Sequence, residues 1–477
     1  MNDITGMQKI LKNTVVQWAG SALSKVVGLA FVLIITRGLG SEQYGKYNLV
    51  FTFLSFFTLL ASFGIHTIAI REAAKKPEDA PQILGDVMVL STVLSVMAGL
   101  LCILVSHLFG YQADILLGLK AAVVAMLFSG LQSHGIIFQA RLKMEQAVAG
   151  NLIRDLFILV SAVYLSLIKA GFISYIWASV LAALASGAYI YGMGCRLVKP
   201  RFDFNSKRYA ALLRESVPLG LSGIALYVYN YIDTIMLSKL APISAVGYYG
   251  VAYKFVFLGQ LLPGAILSTL FPVFSKFNST DKERGKRYFQ YTFDTIFTTA
   301  AFIAILGILY SWDLIILLFG REYGPSALPL AILCLNFVFM YCNMLFSKYL
   351  IATGQQTSVM IYMMITSGAN LLVNFWAIPK YGVVGAAATT MMSEIIFFLL
   401  SWGRLYFREQ VRFSLIPAVK VTLIAAALLF LAHLIKIKWF VEIIIMVFLY
   451  IAGTHFSGAY DYRKLVLLFN KSKDFKL

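Results

Sequence analysis

Apolar stretches of near-membrane length recur from one end of the chain to the other, each bounded by a short polar break. A helical run of ~20 residues crosses ~30 Å of hydrocarbon. The runs place spans at 13–36, 46–66, 84–108, 115–137, 146–168, 172–194, 214–238, 245–271, 288–310, 327–350, 356–378, 382–403, 415–435 and 438–457, fourteen in all. After Trp312 a short apolar piece, LIILLF, is expected to lie re-entrant or at the interface. The last two spans are less polar inside and read as peripheral. The first run is too long for a signal-peptide core and lacks a small-residue cleavage site, so it is expected to be retained.

Composition agrees with an all-α polytopic membrane protein. Hydrophobic residues make up 60% of the chain and charged residues 13%, against about 25% charged in a soluble domain. The net charge of +18 would suit nucleic acid, but its placement argues otherwise. With Met1 inside, the inner segments hold 26 Lys and Arg and the outer loops 8. That asymmetry is the positive-inside signature; it puts both termini in the cytoplasm and accounts for the charge without nucleic acid. The four cysteines (Cys102, Cys195, Cys334, Cys342) lie in or beside apolar runs with no CxxC spacing. They read as packing residues, neither disulfides nor metal ligands.

The chain contains an internal repeat. TRGLGSEQYGKYNL after the first span is similar to SKLAPISAVGYYGV after the seventh, aligning Gly45 with Gly247 and Tyr47 with Tyr249. QARLKMEQ before the fifth span corresponds to IATGQQTS before the eleventh, and Gly171 opens the sixth span as Gly382 opens the twelfth. Six spans separate the copies, an even number, so the two six-helix lobes are parallel repeats. The lobes are 1–195 and 214–404, joined by a basic linker at 196–213, and 405–477 adds two helices and a cytoplasmic tail.

Ionisable residues inside these spans are the candidate functional groups, because a charge near mid-bilayer costs roughly 3 kcal/mol on insertion scales. The first lobe holds Lys25, Lys120, Arg154 and Asp155; the second holds Asp233, Lys254 and Glu394. Buried cations suit an anionic substrate such as a phosphate or pyrophosphate, and a buried carboxylate suits a coupling cation or a proton relay. Each admits a structural reading too. Arg154 pairs with its neighbours, Lys120 snorkels, and Asp233 and Glu394 form interhelical pairs. Tyr227, Asn230 and Asp233 share one helix face by their spacing. Pro218, Pro263, Pro272 and Pro329 fall in or at the ends of second-lobe spans, where bending during transport and static kinks are equally expected.

Several stretches together carry a family resemblance: TRGLGSEQYGKYNL, YNYIDTIMLSKLAPISAVGYYGVAYKF, LPGAILSTLFPVFSK, LLFGREYGPSALPLAIL, YLIATGQQ and IPKYGVVGAAATTMMSE. They resemble the polysaccharide-biosynthesis flippases of the multidrug/oligosaccharidyl-lipid/polysaccharide exporter superfamily. The resemblance implies a V-shaped, two-lobed fold of fourteen helices. It also implies that an undecaprenyl-pyrophosphate-linked oligosaccharide moves from the inner to the outer leaflet of a bacterial plasma membrane, with glycan polymerase machinery as a possible partner. Lys25, Lys120, Arg154 and Lys254 are then the candidate headgroup-binding set. The superfamily's lipid II flippases further imply a sodium site, whose matching positions here are Asp233, Asn370, Asn374 and Thr390. The chain departs from that pattern at Asn374, where a second carboxylate is expected, so either Na+ or H+ remains the candidate coupling ion. No other cofactor is expected.

Three other functions compete. A multidrug exporter of the same fold would favour an acidic, aromatic cavity over a cationic one. A membrane-bound glycan polymerase or ligase would need a sizeable outer loop with catalytic residues; the outer loops are short and the five histidines scattered, so the chain is not expected to be an enzyme. A non-transporting scaffold on a transporter fold is the third. No nucleotide-binding loop is present.

Overall fold

The computed structural model describes residues 2–280, 282–434 and 439–461, with side chains described from Asn13 onward except at 269, 272, 273 and 275–282. Its α-helices run α1 (Asn2–Ser62), α2 (Ile65–Lys75), α3 (Ala80–Leu108), α4 (Ala113–Met126), α5 (Ser129–Gln132), α6 (Gly135–Ala140), α7 (Met144–Leu167), α8 (Phe172–Cys195), α9 (Ser206–Leu240), α10 (Ile243–Gly259), α11 (Leu261–Thr280), α12 (Lys282–Phe319), α13 (Ala327–Ala352), α14 (Gln356–Phe407), α15 (Ile416–Leu434) and α16 (Trp439–Phe456). No strand occurs among the described residues. Eleven of the described helical stretches are long and apolar enough to cross a membrane. The number is twelve if α4 and the bent segment Ser129–Ala140, inclined at 41°, form one span. The predicted tail beyond Asp461, with Lys436 and Lys438, lies outside the described residues.

Two helices are too long for one crossing. The 61 residues of α1 would extend about 90 Å as a straight helix, roughly three hydrocarbon thicknesses. The helical path breaks at Gly40 (φ 72°, ψ 177°), between the predicted spans 13–36 and 46–66. The 52 residues of α14 break likewise at Gly382 (φ 55°, ψ −130°), the first residue of the predicted span 382–403. Glycine lacks the Cβ that makes these dihedrals costly. LIILLF is not a re-entrant piece: α12 continues through it to Phe319, which leaves the interfacial alternative standing. The sequence offers no breaker before Gly320, whose φ of 92° ends the helix. Pro263 and Pro329 sit in the first turns of α11 and α13, where no intrahelical hydrogen bond is lost. Pro218 lies inside α9 and Pro379 inside α14, three residues before its break.

Contacts group the chain into two compact units, Met1–Ser238 with Pro242–Gly247, and Lys239–Ala241 with Tyr248–Leu477. In the first, α1 packs along α7 and α3, and α4 along α8. One apolar core joins Ile65 and Ala69 of α2, Leu84 and Val87 of α3, Ile137 of α6 and Val198. The basic linker is docked rather than free. The Arg201 N–H donates to the Pro81 carbonyl (2.8 Å), and a Cβ on Gly85 would stand 2.1 Å from the Arg201 carbonyl oxygen. Asn205 Oδ1 accepts from the Lys207 and Arg208 N–H groups, an N-cap that starts α9. Arg208 then donates to both oxygens of buried Asp86 (2.8 and 3.2 Å). Nearby, Arg71 bonds Glu72 and Glu215. The Arg71 guanidinium, and after it Lys75, hold the Glu72 carboxyl below its ordinary value.

In the second unit α12, α13 and α14 pack in sequence. The last two helices dock on α12: Ala301 and Ile305 meet Val421, Leu428, Met446 and Tyr450, and the Tyr450 hydroxyl donates to the Thr298 carbonyl (2.7 Å).

The repeat-equivalent glycines meet each other. A Cβ on Gly45 would stand 2.3 Å from the Ile243 carbonyl oxygen, and one on Gly247 would stand 2.3 Å from that of Ser41. Both contacts join positions related by the same sequence offset, so the crossing of α1 with the first turn of α10 is locally two-fold symmetric. G45A and G247A are each expected to lower stability by about 1–3 kcal/mol, the usual range for overpacking. The double variant should lose less than the sum, because one helix separation relieves both clashes. Unfolding of the purified protein in detergent measures this, and strict additivity would contradict it.

Candidate functional site

Lys25 lies on α1, twelve residues after Asn13 and fifteen before the break at Gly40, so roughly 20 Å of helix separates it from either end. It is half-buried, and no hydrogen bond or ion pair engages it among the described residues. Arg154 lies on α7, which packs against α1. Its Nε and Nη2 both donate to Asp155 Oδ1 (3.1 and 3.0 Å). The Arg154 side chain stays 42% exposed while Asp155 is 13% exposed, and Asp155 Oδ2 is buried without a hydrogen-bond partner. The pair thus offers donors outward and keeps its acceptor inside. Lys120, on α4, is exposed. The structure therefore brings Lys25 and Arg154 onto two neighbouring helices and sets Lys120 on a third.

The stripe of Tyr227, Asn230 and Asp233 on α9 separates into three environments. The Tyr227 hydroxyl donates to the Thr52 carbonyl, and its ring stacks on Tyr231 (4.5 Å between centroids). Asn230 donates to the Leu226 carbonyl of its own helix (2.7 Å). Asp233 is 2% exposed. Beside this stripe an apolar cavity of about 210 Å³ is lined by Phe53, Phe56, Phe57, Phe109, Tyr227 and Ile232, among others.

In the second unit the polar positions form a buried thread. Asn374 Nδ2 donates to Asn370 Oδ1 (2.8 Å), and Thr389 Oγ1 donates to Asn374 Oδ1 (2.5 Å). The latter bond bridges the two arms of α14 across Gly382. The arms approach closely because a Cβ on Gly385 would stand 2.4 Å from the Ala377 carbonyl oxygen. Asn370 and Asn374 are thus together, but with Thr389; Thr390 instead bonds the Tyr249 hydroxyl of α10 (3.0 Å). Further along α14, Glu394 is 6% exposed and accepts from Asn343 Nδ2 of α13 at Oε2 (2.6 Å) and at its backbone carbonyl (2.8 Å). Lys254, on α10, is half-buried, with no hydrogen bond or ion pair among the described residues.

Asn343 and Thr389 are the residues that sequence reasoning passed over, and Tyr249 entered it only through the repeat alignment. One signal was present for Asn343: Asn336 and Asn343 recur at seven-residue spacing in an apolar run, which places them on one helix face. The threonines are adjacent, and hydropathy does not separate adjacent positions.

Comparison with known proteins agrees with this architecture. Residues 10–278 match the profile of the family described as polysaccharide biosynthesis protein, and 218–376 match the MatE profile. A probable low-salt glycan biosynthesis flippase of Haloferax volcanii is 25% identical over 381 residues, 77% of each chain. A putative O-antigen transporter of Shigella flexneri is 24% identical over 420 residues, covering 82% of this chain and 97% of that one. Among solved structures, the lipid II flippase MurJ in an inward closed conformation superposes with a TM-score of 0.79 at 17% identity, over 95% of this chain and 100% of that one. An inward-facing multidrug resistance MATE transporter gives 0.66 at 16% identity, over 81% and 96%. At these identities the structures show a shared fold.

Asn374→Leu removes the link between Asn370 and Thr389 and leaves buried Asn370 Oδ1 short of a donor. The expected loss is about 1–3 kcal/mol, the cost of an unsatisfied buried polar group. It is read from unfolding in detergent beside T390V, which leaves the Asn370–Asn374–Thr389 link intact and should cost less. Equal losses would contradict the assigned network.

Proposed function

The chain belongs to the polysaccharide biosynthesis protein family of the multidrug/oligosaccharidyl-lipid/polysaccharide exporter superfamily, and from that premise we propose that it flips undecaprenyl-pyrophosphate-linked oligosaccharide units. They move from the cytoplasmic to the outer leaflet of a bacterial plasma membrane for surface polysaccharide synthesis. The observation that carries this reading is the cation Lys25, unpaired among the described residues and deep within α1, with the partly exposed guanidinium of Arg154 on the adjacent helix. A drug-exporting pocket for cations has no use for two such groups, whereas a pyrophosphate accepts charge-assisted hydrogen bonds from both. The names of the relatives, a glycan biosynthesis flippase and an O-antigen transporter, support the same substrate class.

Topology follows in the same terms. The two glycine-broken helices α1 and α14 each supply two crossings, which raises the twelve candidate spans to fourteen. The excess of basic residues on one set of loops supports cytoplasmic termini.

In this mechanism the headgroup engages Lys25 and Arg154, and Lys120 of the first unit and Lys254 of the second are further candidate cations for it. The polyprenyl chain stays in hydrocarbon. A coupling ion, Na+ or H+, acts at Asp233 or at the Asn370–Asn374 pair, with Thr390 nearby on α14. It biases the transporter only as far as its affinity differs between the inward- and outward-open states. The product is delivered where glycan polymerase machinery would use it.

Reconstitution into proteoliposomes with a fluorescent undecaprenyl-pyrophosphate oligosaccharide tests the proposal by following leaflet exposure with and without an ion gradient. Wild type should translocate the lipid. K25A should raise the substrate concentration needed by about tenfold or more, matching the ~1.5–3 kcal/mol of a hydrogen bond to a charged group, and K25R should recover most of it. Efflux of cationic dyes without glycan translocation would overturn the reading in favour of a multidrug exporter.

A further inference from the structure

We propose that Glu394 is a proton-binding group of the second unit and that Asn343 is the partner that accommodates both of its protonation states. The coupling role adds Glu394 to the candidate coupling positions named above and rests on the transport reading; the titration itself does not. Glu394 stands twelve residues past the break at Gly382 and thirteen before the end of α14, at mid-helix, where an ionisable side chain is costly and is by default functional. Its carboxyl meets the Asn343 amide, 5% exposed, across the α13–α14 interface.

The amide is only half used in this arrangement. Its Nδ2 gives two hydrogen bonds to Glu394, while its Oδ1 is buried with no partner. Orphaned buried acceptors are costly, and this one belongs to the group that touches the carboxyl. An amide carries a donor and an acceptor on one rotatable plane. With Glu394 ionised, Nδ2–H donates to Oε2, the bond present in the structure. With Glu394 protonated, a half-turn of the amide presents Oδ1 to accept from the carboxyl O–H. Both states of the acid therefore keep a hydrogen bond, and the orphan oxygen is the acceptor held for the neutral one. A purely structural pair would need one state only.

Aromatic rings and polar side chains surround this contact. Phe339 and Phe346 of α13 flank Asn343 in sequence, and both rings contact Phe398 (5.9 and 5.4 Å), one turn after Glu394. Of the titratable groups nearby on α13, the Tyr341 hydroxyl donates to the Gly259 carbonyl (2.6 Å), Cys342 is buried, Lys348 lies over the Phe271 ring (5.8 Å) and Tyr349 contacts the rings of Phe274 and Phe289. On α10, Tyr249 bonds Thr390, Tyr253 contacts its ring, and Lys254 has no hydrogen bond or ion pair among the described residues. On α14 the nearest cation along the chain is Arg404, which donates to Gln355 (2.7 Å). Polar groups lead away from the carboxyl along the same helix: Ser393 Oγ donates to the Thr389 carbonyl (2.9 Å), and Thr389 to Asn374. The step is a proton exchange alone. The carboxylate takes H+ from water and later returns it, with no other bond made or broken.

Infrared difference spectroscopy of the purified protein in lipid, stepped in pH, reads the group directly. Wild type should show a protonated-carboxyl band that titrates and is absent in E394Q. N343A should keep the band and raise its midpoint, because the stronger, charge-assisted bond to the ionised form is the one lost. Identical spectra for wild type and E394Q overturn the proposal, as does an N343A midpoint that does not move. In proteoliposomes, a pH gradient should accelerate glycan flipping by wild type and not by E394Q. Equal acceleration of both overturns the role of Glu394 and leaves the flippase reading standing. If wild type flips no glycan, that reading falls and the spectra alone decide the proton site.

Discussion

A backbone that enters hydrocarbon finds no water, so each N–H and C=O must be satisfied within the chain at a cost of several kcal/mol for every failure. That constraint explains why every regular element among the described residues is helical. It also explains how the chain reverses direction. At Gly40 and Gly382 the turn is made within one residue of non-helical dihedrals, and the flanking segments resume helical bonding at once. A longer irregular loop would strand more groups. The same demand is met at the start of α9, where Asn205 caps two free N–H groups at the end of the non-helical linker.

Side chains obey the rule with less freedom. Close helix approach at Gly385 brings the arms of α14 near enough for Thr389 to reach Asn374. Packing of α13 on α14 lets Asn343 serve Glu394. A small residue at a crossing and a polar pair beside it are two consequences of one geometry, since hydrogen bonds between side chains require backbones about as close as glycine permits. The polar interior of the second unit therefore depends on its glycines as much as on its asparagines.

The cations depart from the rule in different ways. Arg154 is compensated by its own neighbour, Asp155, and Arg208 by Asp86 and Asp203. Lys25 and Lys254 have no such partner among the described residues. An ammonium held within a span without compensation is expensive, and a substrate that carries the missing negative charge offsets the cost whenever it is bound. This is the physical reason for reading Lys25 as a ligand for an anionic headgroup and Arg208 as a structural brace.

Most of the helix pattern was legible in the sequence, because membrane insertion is a local property: about twenty consecutive apolar residues suffice, whatever their neighbours. The helical class, most of the long apolar helices and Gly382 at the start of the twelfth predicted span came from that local information. LIILLF is not the re-entrant piece its sequence allowed, because no breaker stands between Trp312 and Gly320 and the helix continues. What tertiary structure alone decided was the direction in which each polar side chain points. Adjacent helical residues differ by about 100°, so hydropathy does not choose between Thr389 and Thr390, nor join Glu394 to an asparagine 51 residues away. Those choices rest on the rotation and register of one helix against another, which are set by packing at Gly385 and along the α13–α14 interface.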